Sequence, residues 1–394
     1  MTISTQLKNE DKEAIEELRK RVGNELSSEL CDDTNMFYRF LKARDFHIDH
    51  AEDMLKKHIE WRKEYSVDTI LQDYIPHEAL SIYFPGNLIG FDKENCPVKY
   101  FAFGNLDAKG VRRAANFPEI MKYVIYSQEK EINVLKQQSR KFGKDLPGSV
   151  YILDFNNFSL SAATDMKTLE HSSILSKMYQ DNYPERLKAV YIINVSPYFY
   201  LAFNIIKVFI AASILRKIHF CKRDFQEKLL KIIDADQLPA FLGGHRTDPD
   251  GNPLCKSFVN HAGVIPPKYF KNKCSRDFKN KIDVNKLCVQ RMSAEEIEIQ
   301  VKEPGFLIEW EFEIQNRDIE FGIYFKDNTE KRHPIIPLKK VDEEEFTETG
   351  NYRAENAGTY ILVFNNSYSW MRSKDIIYRV VVKNPINPDY IPPE

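Results

Sequence analysis

"AVYIINVSPYFYLAFNIIKVFIAASILRKI" (189–218) holds two structural signals in one run. Its first seven residues are β-branched, aromatic and apolar enough to be covered on both faces, which predicts a buried strand. From Tyr198 to Leu215 there is one charge, Lys207, and one amide, Asn204, in a chain that is 29% charged with a mean hydropathy of -0.47. A strand followed at once by an apolar helix predicts an α/β layer with an unusually greasy element beside it.

Outward from this run, "VKYFAF" (98–103) and "SVYILDF" (149–155) repeat the strand pattern, and helical stretches at 117–141 and 161–181 separate the three. That alternation predicts an α/β domain over residues 76–246, with a largely parallel sheet and crossover helices. Upstream, residues 1–75 read as an all-α bundle. Phe37, Phe40 and Leu41 recur at helical spacing, and Asp49 with Glu52 looks like a capping box for a helix that buries Ala51, Met54, Leu55 and Ile59.

Downstream, residues 247–291 read as a basic connector, with eight Lys or Arg (268, 271, 273, 276, 279, 281, 286, 291) against two Asp between Pro266 and Arg291. Residues 292–394 then alternate as strands: "EEIEIQV", "GFLIEWEFEI", "IEFGIYF", "GTYILVF" and "IIYRVVV". Turn signals stand at Pro304-Gly305, Asp327-Asn328 and Gly350-Asn351. An all-β sandwich is expected there.

Composition removes several functions. With 56 basic against 58 acidic residues in 394, no global field steers the chain to nucleic acid. The N-terminus has no apolar secretion signal, the C-terminus no lipidation signal, and the six cysteines form no CxxC pair. A cytoplasmic chain with reduced thiols is expected. There is no G-x-G-x-x-G after a strand and no Walker loop. "DPDGNP" (248–253) has Val259 where a calcium loop needs Glu, so it reads as a tight turn. The nine histidines form no HExxH, and Ser196 lacks the flanking glycines of a nucleophile elbow. No catalytic residue, metal or cofactor is expected.

The apolar run therefore carries the functional signal. As a membrane span it would hold Lys207 near its centre at a cost of about 2.5–3.5 kcal/mol, inside an α/β domain. As one helix at about 100° per residue, Asn204, Lys207, Tyr200 and Ala211 share a stripe and every other face is apolar, whereas a surface helix needs an apolar stripe little wider than about 100°. Two readings remain: a core helix buried between layers, or a lid over a lipid pocket. A two-chain lipid hides on the order of 30 methylenes at ~0.8 kcal/mol each, so a carrier must close fully around the tails.

"FYRFLKARDFHIDHAEDMLKKHIEWRKEY", "YQDNYPERLKAVYIINVSPYFYLAFNIIKVFI", "DQLPAFLGG" and "DPDGNPLCKS" resemble the CRAL-TRIO lipid-binding family of Sec-fourteen-like transfer proteins. "PGFLIEWEFEI" and "AGTYILVFNNSYSW" resemble the GOLD domain that follows it in one subgroup. The resemblance implies an N-terminal helical segment, an α/β lipid-binding domain with a gating helix, and a GOLD jelly-roll sandwich. It implies one hydrophobic ligand: phosphatidylinositol or another phospholipid, squalene, a tocopherol or a retinoid.

By the family's motifs, Arg44, Glu185, Arg186 and Lys217 fall at the headgroup positions. Tyr198, Phe199, Phe203, Ile206, Phe209, Ile210 and Ile214 fall on the lid. Ile214 stands where family members carry a hydroxyl. The resemblance further implies transient contact with membranes, to which the basic connector would draw an anionic leaflet, and a protein or Golgi-membrane interaction through the GOLD domain. A second reading, from a different class, is a lipid-sensing trafficking adaptor acting through that domain.

Overall fold

The computed structural model describes residues 8–26, 28–270, 283–314, 318–327, 329–341 and 348–384. The chain divides into two compact units, Met1–Phe270 and Lys271–Glu394. Of the basic run, Lys271, Lys273, Arg276, Lys279 and Lys281 lie outside the described residues.

The first unit opens with α1 (Asn9–Val22), α2 (Ser28–Cys31), α3 (Thr34–Lys42), α4 (Ile48–Glu64), α5 (Ile70–Asp73) and α6 (Glu78–Tyr83). Ile15, Leu18 and Val22 of α1 pack with Phe37, Phe40 and Leu41 of α3 and with Ala51, Met54, Leu55 and Ile59 of α4, the face that the periodicity predicts. The capping box does not form. The helix starts after His47, and Asp49 and Glu52 instead accept hydrogen bonds from the Arg21 guanidinium at 2.7 and 3.0 Å. Two carboxylates aimed at a cation on α1 tie the helices together, and this competes with a local cap.

The α/β part holds a five-stranded sheet in the order β1 (Asn87–Phe91), β2 (Pro97–Phe101), β3 (Ser149–Asp154), β4 (Leu187–Ile193), β5 (Ile218–Phe220). β1 and β2 are antiparallel, and β2 through β5 run parallel. Crossovers are made by α7 (Ala108–Ala114) with α8 (Phe117–Phe142), then by α9 (Leu160–Ala163) with α10 (Met166–Asn182). A capping box of Asn116 and Glu119 starts α8. The stretch expected as one helix over 161–181 is two, because the Asp165 side chain accepts from the Thr168 amide and caps a new start.

After β4 come α11 (Pro197–Ile206), a 3-10 turn at Lys207–Phe209, and α12 (Ala212–Leu215), with α13 (Phe225–Ile232) beyond β5. One sheet face buries Val98, Tyr100, Val150 and Ile152 against Leu229, Ile233 and Leu238, together with Cys255 and Val259. Residues read as the start of the connector thus pack in this core. "DPDGNP" is the expected tight turn, with Gly251 at φ +82 and the Asp248 amide donating to the Asn252 carbonyl at 3.0 Å.

The second unit is a sandwich of two four-stranded sheets, β10-β9-β12-β7 and β11-β8-β13-β6. Its strands are β6 (Asn285–Val289), β7 (Ala294–Val301), β8 (Leu307–Ile314), β9 (Ile319–Lys326), β10 (Arg332–Val341), β11 (Glu348–Arg353), β12 (Gly358–Asn365) and β13 (Lys374–Lys383). β6 pairs with β13 and lies ahead of residue 292, where the sequence pattern opens the domain. The core joins Trp310 and Phe312 of β8 to Phe321 of β9 and Tyr360, Leu362 and Phe364 of β12.

Three strands escaped the pattern. β6 is short, and β10, with Pro334 and Pro337, is an edge strand, the place in a sheet where proline is tolerated. β11 contains Gly350, expected in a turn. Gly350 instead sits opposite Trp310, and a Cβ there would fall 2.2 Å from the indole Cζ2. The glycine lets the ring lie across the neighbouring strand.

Candidate ligand site beneath a broken apolar helix

The apolar run does not form one helix. Helical geometry stops at Phe209, and Ile210 (φ -99, ψ 126) and Ala211 (φ -59, ψ 144) are extended before α12 begins. The β-branched crowd Ile205, Ile206, Val208 and Ile210 weakens the helix, but no Gly or Pro marks the break. What holds it open is Gln180 of α10. Its side-chain amide donates to the Phe209 carbonyl at 2.9 Å and accepts from the Ala211 amide at 2.6 Å, satisfying two backbone groups that the lost turn frees. Sequence reading had no signal for this pairing.

From α11 into the 3-10 turn the polar stripe holds, since Lys207 donates to Asn204 Oδ1 at 2.7 Å. One apolar face is inward. Phe199 is 3% exposed and packs with Leu187, Val190 and Ile192 of β4, joined by Phe155, Phe158 and Phe203, while Ile206 packs toward Ala163 and Leu169. The other face is bare: Tyr198, Tyr200, Leu201 and Ile205 are exposed, Val208 is 71% and Phe209 54% exposed. An apolar patch of this kind marks an interaction surface. No helix among the described residues is long and apolar enough to cross a membrane.

Beneath the break lies a cavity of about 370 Å³. Its apolar wall is Val208, Phe209, Ile210 and Ile214. Its polar wall contains Arg44, Glu185, Arg186 and Lys217, the four residues singled out from the sequence. Arg44 arrives there through the turn after α3, in which Asp45 (φ 49) and Phe46 (φ 62) are left-handed. Glu185, itself at φ 53, sits in the α10–β4 turn. Of the expected lid residues, Phe209, Ile210 and Ile214 line this cavity, and Tyr198, Phe199, Phe203 and Ile206 do not.

The polar groups are partly paired among themselves. Glu185 Oε2 lies 3.1 Å from Lys42 Nζ and 3.6 Å from Lys217 Nζ, and Lys217 also donates to the Leu187 carbonyl at 2.8 Å. Arg44 donates to the neighbouring Ala43 carbonyl at 3.1 Å. Burial pushes the Arg186 guanidinium below its ordinary pKa, opposed by Asp33 and Asp145. Beyond the sequence reading, Ser213 and Tyr179 also line the cavity, and Lys42 pairs with Glu185 without lining it. Ser213 lines the cavity one position before Ile214. The Tyr179 hydroxyl is buried with no hydrogen-bond partner among the described residues, and burial raises its pKa.

Behind Tyr179 the sheet holds a sealed polar cluster. Lys99 Nζ and Glu131 Oε2 are 3.0 Å apart with both side chains buried, and Tyr151 donates to Glu131 at 2.9 Å. Among the described residues no group of His, Cys, Asp and Glu is arranged to hold a metal.

Comparison with known proteins places residues 82–244 on the model of the CRAL/TRIO domain and residues 290–374 on that of the Patellin-1-like, C-terminal GOLD domain. Protein ctg-1 of Caenorhabditis elegans is 25% identical over 354 residues, covering 88% of this chain and 90% of that one. Phosphatidylinositol/phosphatidylcholine transfer protein SFH12 of Arabidopsis thaliana is 32% identical over 256 residues, covering 63% of this chain and 46% of that one, so the match spans about half of that relative. Among solved structures, that of Sfh5 aligns over 66% of this chain and 94% of its own at 19% identity, with a TM-score of 0.48.

Proposed function

From the premise that this chain carries a CRAL/TRIO domain followed by a Patellin-like GOLD domain, we propose that it is a lipid-transfer protein. It takes up one lipid with a phosphorylated polar headgroup and exchanges it at membranes. The observation that carries this reading is the cavity under the broken helix, with cations and carboxylates on one wall and Val208, Phe209, Ile210 and Ile214 on the other. A phosphodiester asks for guanidinium or ammonium donors, which Arg44, Arg186 and Lys217 supply. Inositol hydroxyls ask for a carboxylate acceptor, which Glu185 supplies. Ser213 offers the hydroxyl that Ile214 lacks.

At about 370 Å³ the cavity is the size of a headgroup with its glycerol, not of two acyl chains. The tails belong where Phe155, Phe158, Phe199 and Phe203 now pack, so loading requires α11 to lift. The bare face of Leu201, Ile205, Val208 and Phe209 meets the bilayer as it does. Transfer from bilayer to pocket is then nearly neutral for the tails, and opening controls the rate.

A vesicle-to-vesicle assay tests this. Catalytic movement of labelled phosphatidylinositol, slowed when Lys217 is replaced, supports the reading. Membrane binding with no net exchange would instead favour an adaptor that senses lipid, and exchange of squalene or tocopherol with phosphatidylinositol excluded would make the four polar residues structural.

A further inference from the structure

A second cavity, of about 70 Å³, lies behind the first, between α3, α4, α8 and the α10–β4 turn. Four cations line it, Arg39, Arg62, Lys136 and Arg186, against two carboxylates, Asp33 and Glu129. Arg39 is 7% exposed, yet its guanidinium makes no hydrogen bond among the described residues. Its nearest carboxylates, Asp33 and Asp145, stand at 3.9 and 3.8 Å. Arg186 likewise donates no hydrogen bond among the described residues, and its positive charge acts on Arg39. Side by side, the buried Arg39 fork and the half-buried Arg186 fork face an open space with donors that make no hydrogen bond among the described residues.

We propose that this cavity is a binding site for a tetrahedral oxyanion, phosphate or a phosphate monoester, held between the guanidiniums of Arg39 and Arg186. The volume suits one such ion, since a single water occupies roughly 10–15 Å³ on the same measure. Planar forks match phosphate oxygens in bidentate fashion. Arg62 and Glu129 are already hydrogen-bonded, to Asp68 at 2.7 Å and to the Tyr183 hydroxyl at 2.9 Å, so the two forks that make no hydrogen bond are the ligands. His58 borders the site as a neutral ring on Asn182 Oδ1 at 2.9 Å. Because Arg186 also lines the larger cavity, the phosphate has two sources: the free ion, or a phosphomonoester arm of an inositol lipid seated in the larger cavity. The site itself does not depend on lipid transfer.

Calorimetric titration of the full chain with inorganic phosphate, at fixed ionic strength, should show saturable one-to-one binding. It should weaken at least tenfold in Arg39→Gln and persist in Arg44→Gln, which touches only the larger cavity. Vesicles containing phosphatidylinositol 4-phosphate, but not plain phosphatidylinositol, displace phosphate if the lipid arm is the source; neither does if the free ion is. Crystals of the unaltered protein soaked in arsenate give a reading that needs no variant, with an anomalous peak expected between Arg39 and Arg186. Absence of that peak, or equal phosphate binding by Arg39→Gln, overturns the proposal.

Discussion

Replacing Gln180 with Leu should release the break in the apolar helix. The side chain donates to Phe209 O and accepts from Ala211 N, and no other described group takes either bond. Each hydrogen bond is worth about 0.5–1.5 kcal/mol net, and because the pair is reached by solvent the lower half of the range applies, giving about 1–2 kcal/mol in total. That shifts the local opening equilibrium by about 5- to 30-fold. Hydrogen exchange followed by mass spectrometry reads it directly. Peptides over 207–215 should exchange faster in Gln180→Leu by that factor, while those of β4 stay protected. If opening limits lipid exchange, vesicle-to-vesicle transfer should rise by a similar factor. A folded variant whose 207–215 amides exchange at the unaltered rate would refute the assignment of Gln180 as the latch.

Lys217→Met keeps the aliphatic stem and removes the ammonium. Loss of a charged hydrogen bond of about 1.5–3 kcal/mol should slow phosphatidylinositol transfer roughly 10- to 100-fold, measured beside a neutral lipid whose transfer does not change. Burial lowers the pKa of His58 from 6.5 to about 4. The folded state therefore resists a proton that the unfolded chain takes up, so the stability this neutral ring carries is intact above pH 6.5. It falls by up to about 3 kcal/mol as the pH drops to 4. Urea midpoints at pH 7.5, 5.5 and 4.5 should fall less steeply in His58→Phe, with a residual slope from His171, whose pKa burial also lowers to about 4. Gly350→Ala drives a methyl into the Trp310 ring and should cost about 1–3 kcal/mol of stability in the sandwich, seen as a blue- or red-shifted Trp310 emission and a lower unfolding midpoint.

The α/β layer was legible because β3 and β4 are apolar on both faces and long helices separate them. The N-terminal bundle was legible because Phe37, Phe40, Leu41 and Leu55 sit at helical spacing. The four polar residues of the larger cavity were found by the family's motifs, not by any spacing of their own. They come from the turn after α3, the α10–β4 turn and the approach to β5, and only the fold brings them to one wall. The broken helix was illegible because its cause is a side chain some thirty residues earlier, on α10. Tyr179 was missed for the same reason, being an ordinary helix residue until tertiary packing turns it to the cavity, and so was the pairing of Lys42 with Glu185. Gly350 misled because a glycine beside an asparagine signals a turn, whereas here it clears space for a ring on the next strand.

The most direct test of the central claim is native mass spectrometry of the purified chain, before and after exposure to mixed-lipid vesicles, with the bound molecule extracted and identified. The account predicts one phospholipid per chain, phosphatidylinositol among those taken up, and loss of that adduct in Lys217→Met. A neutral isoprenoid in its place, or a chain that returns from the vesicles with nothing bound, would contradict it.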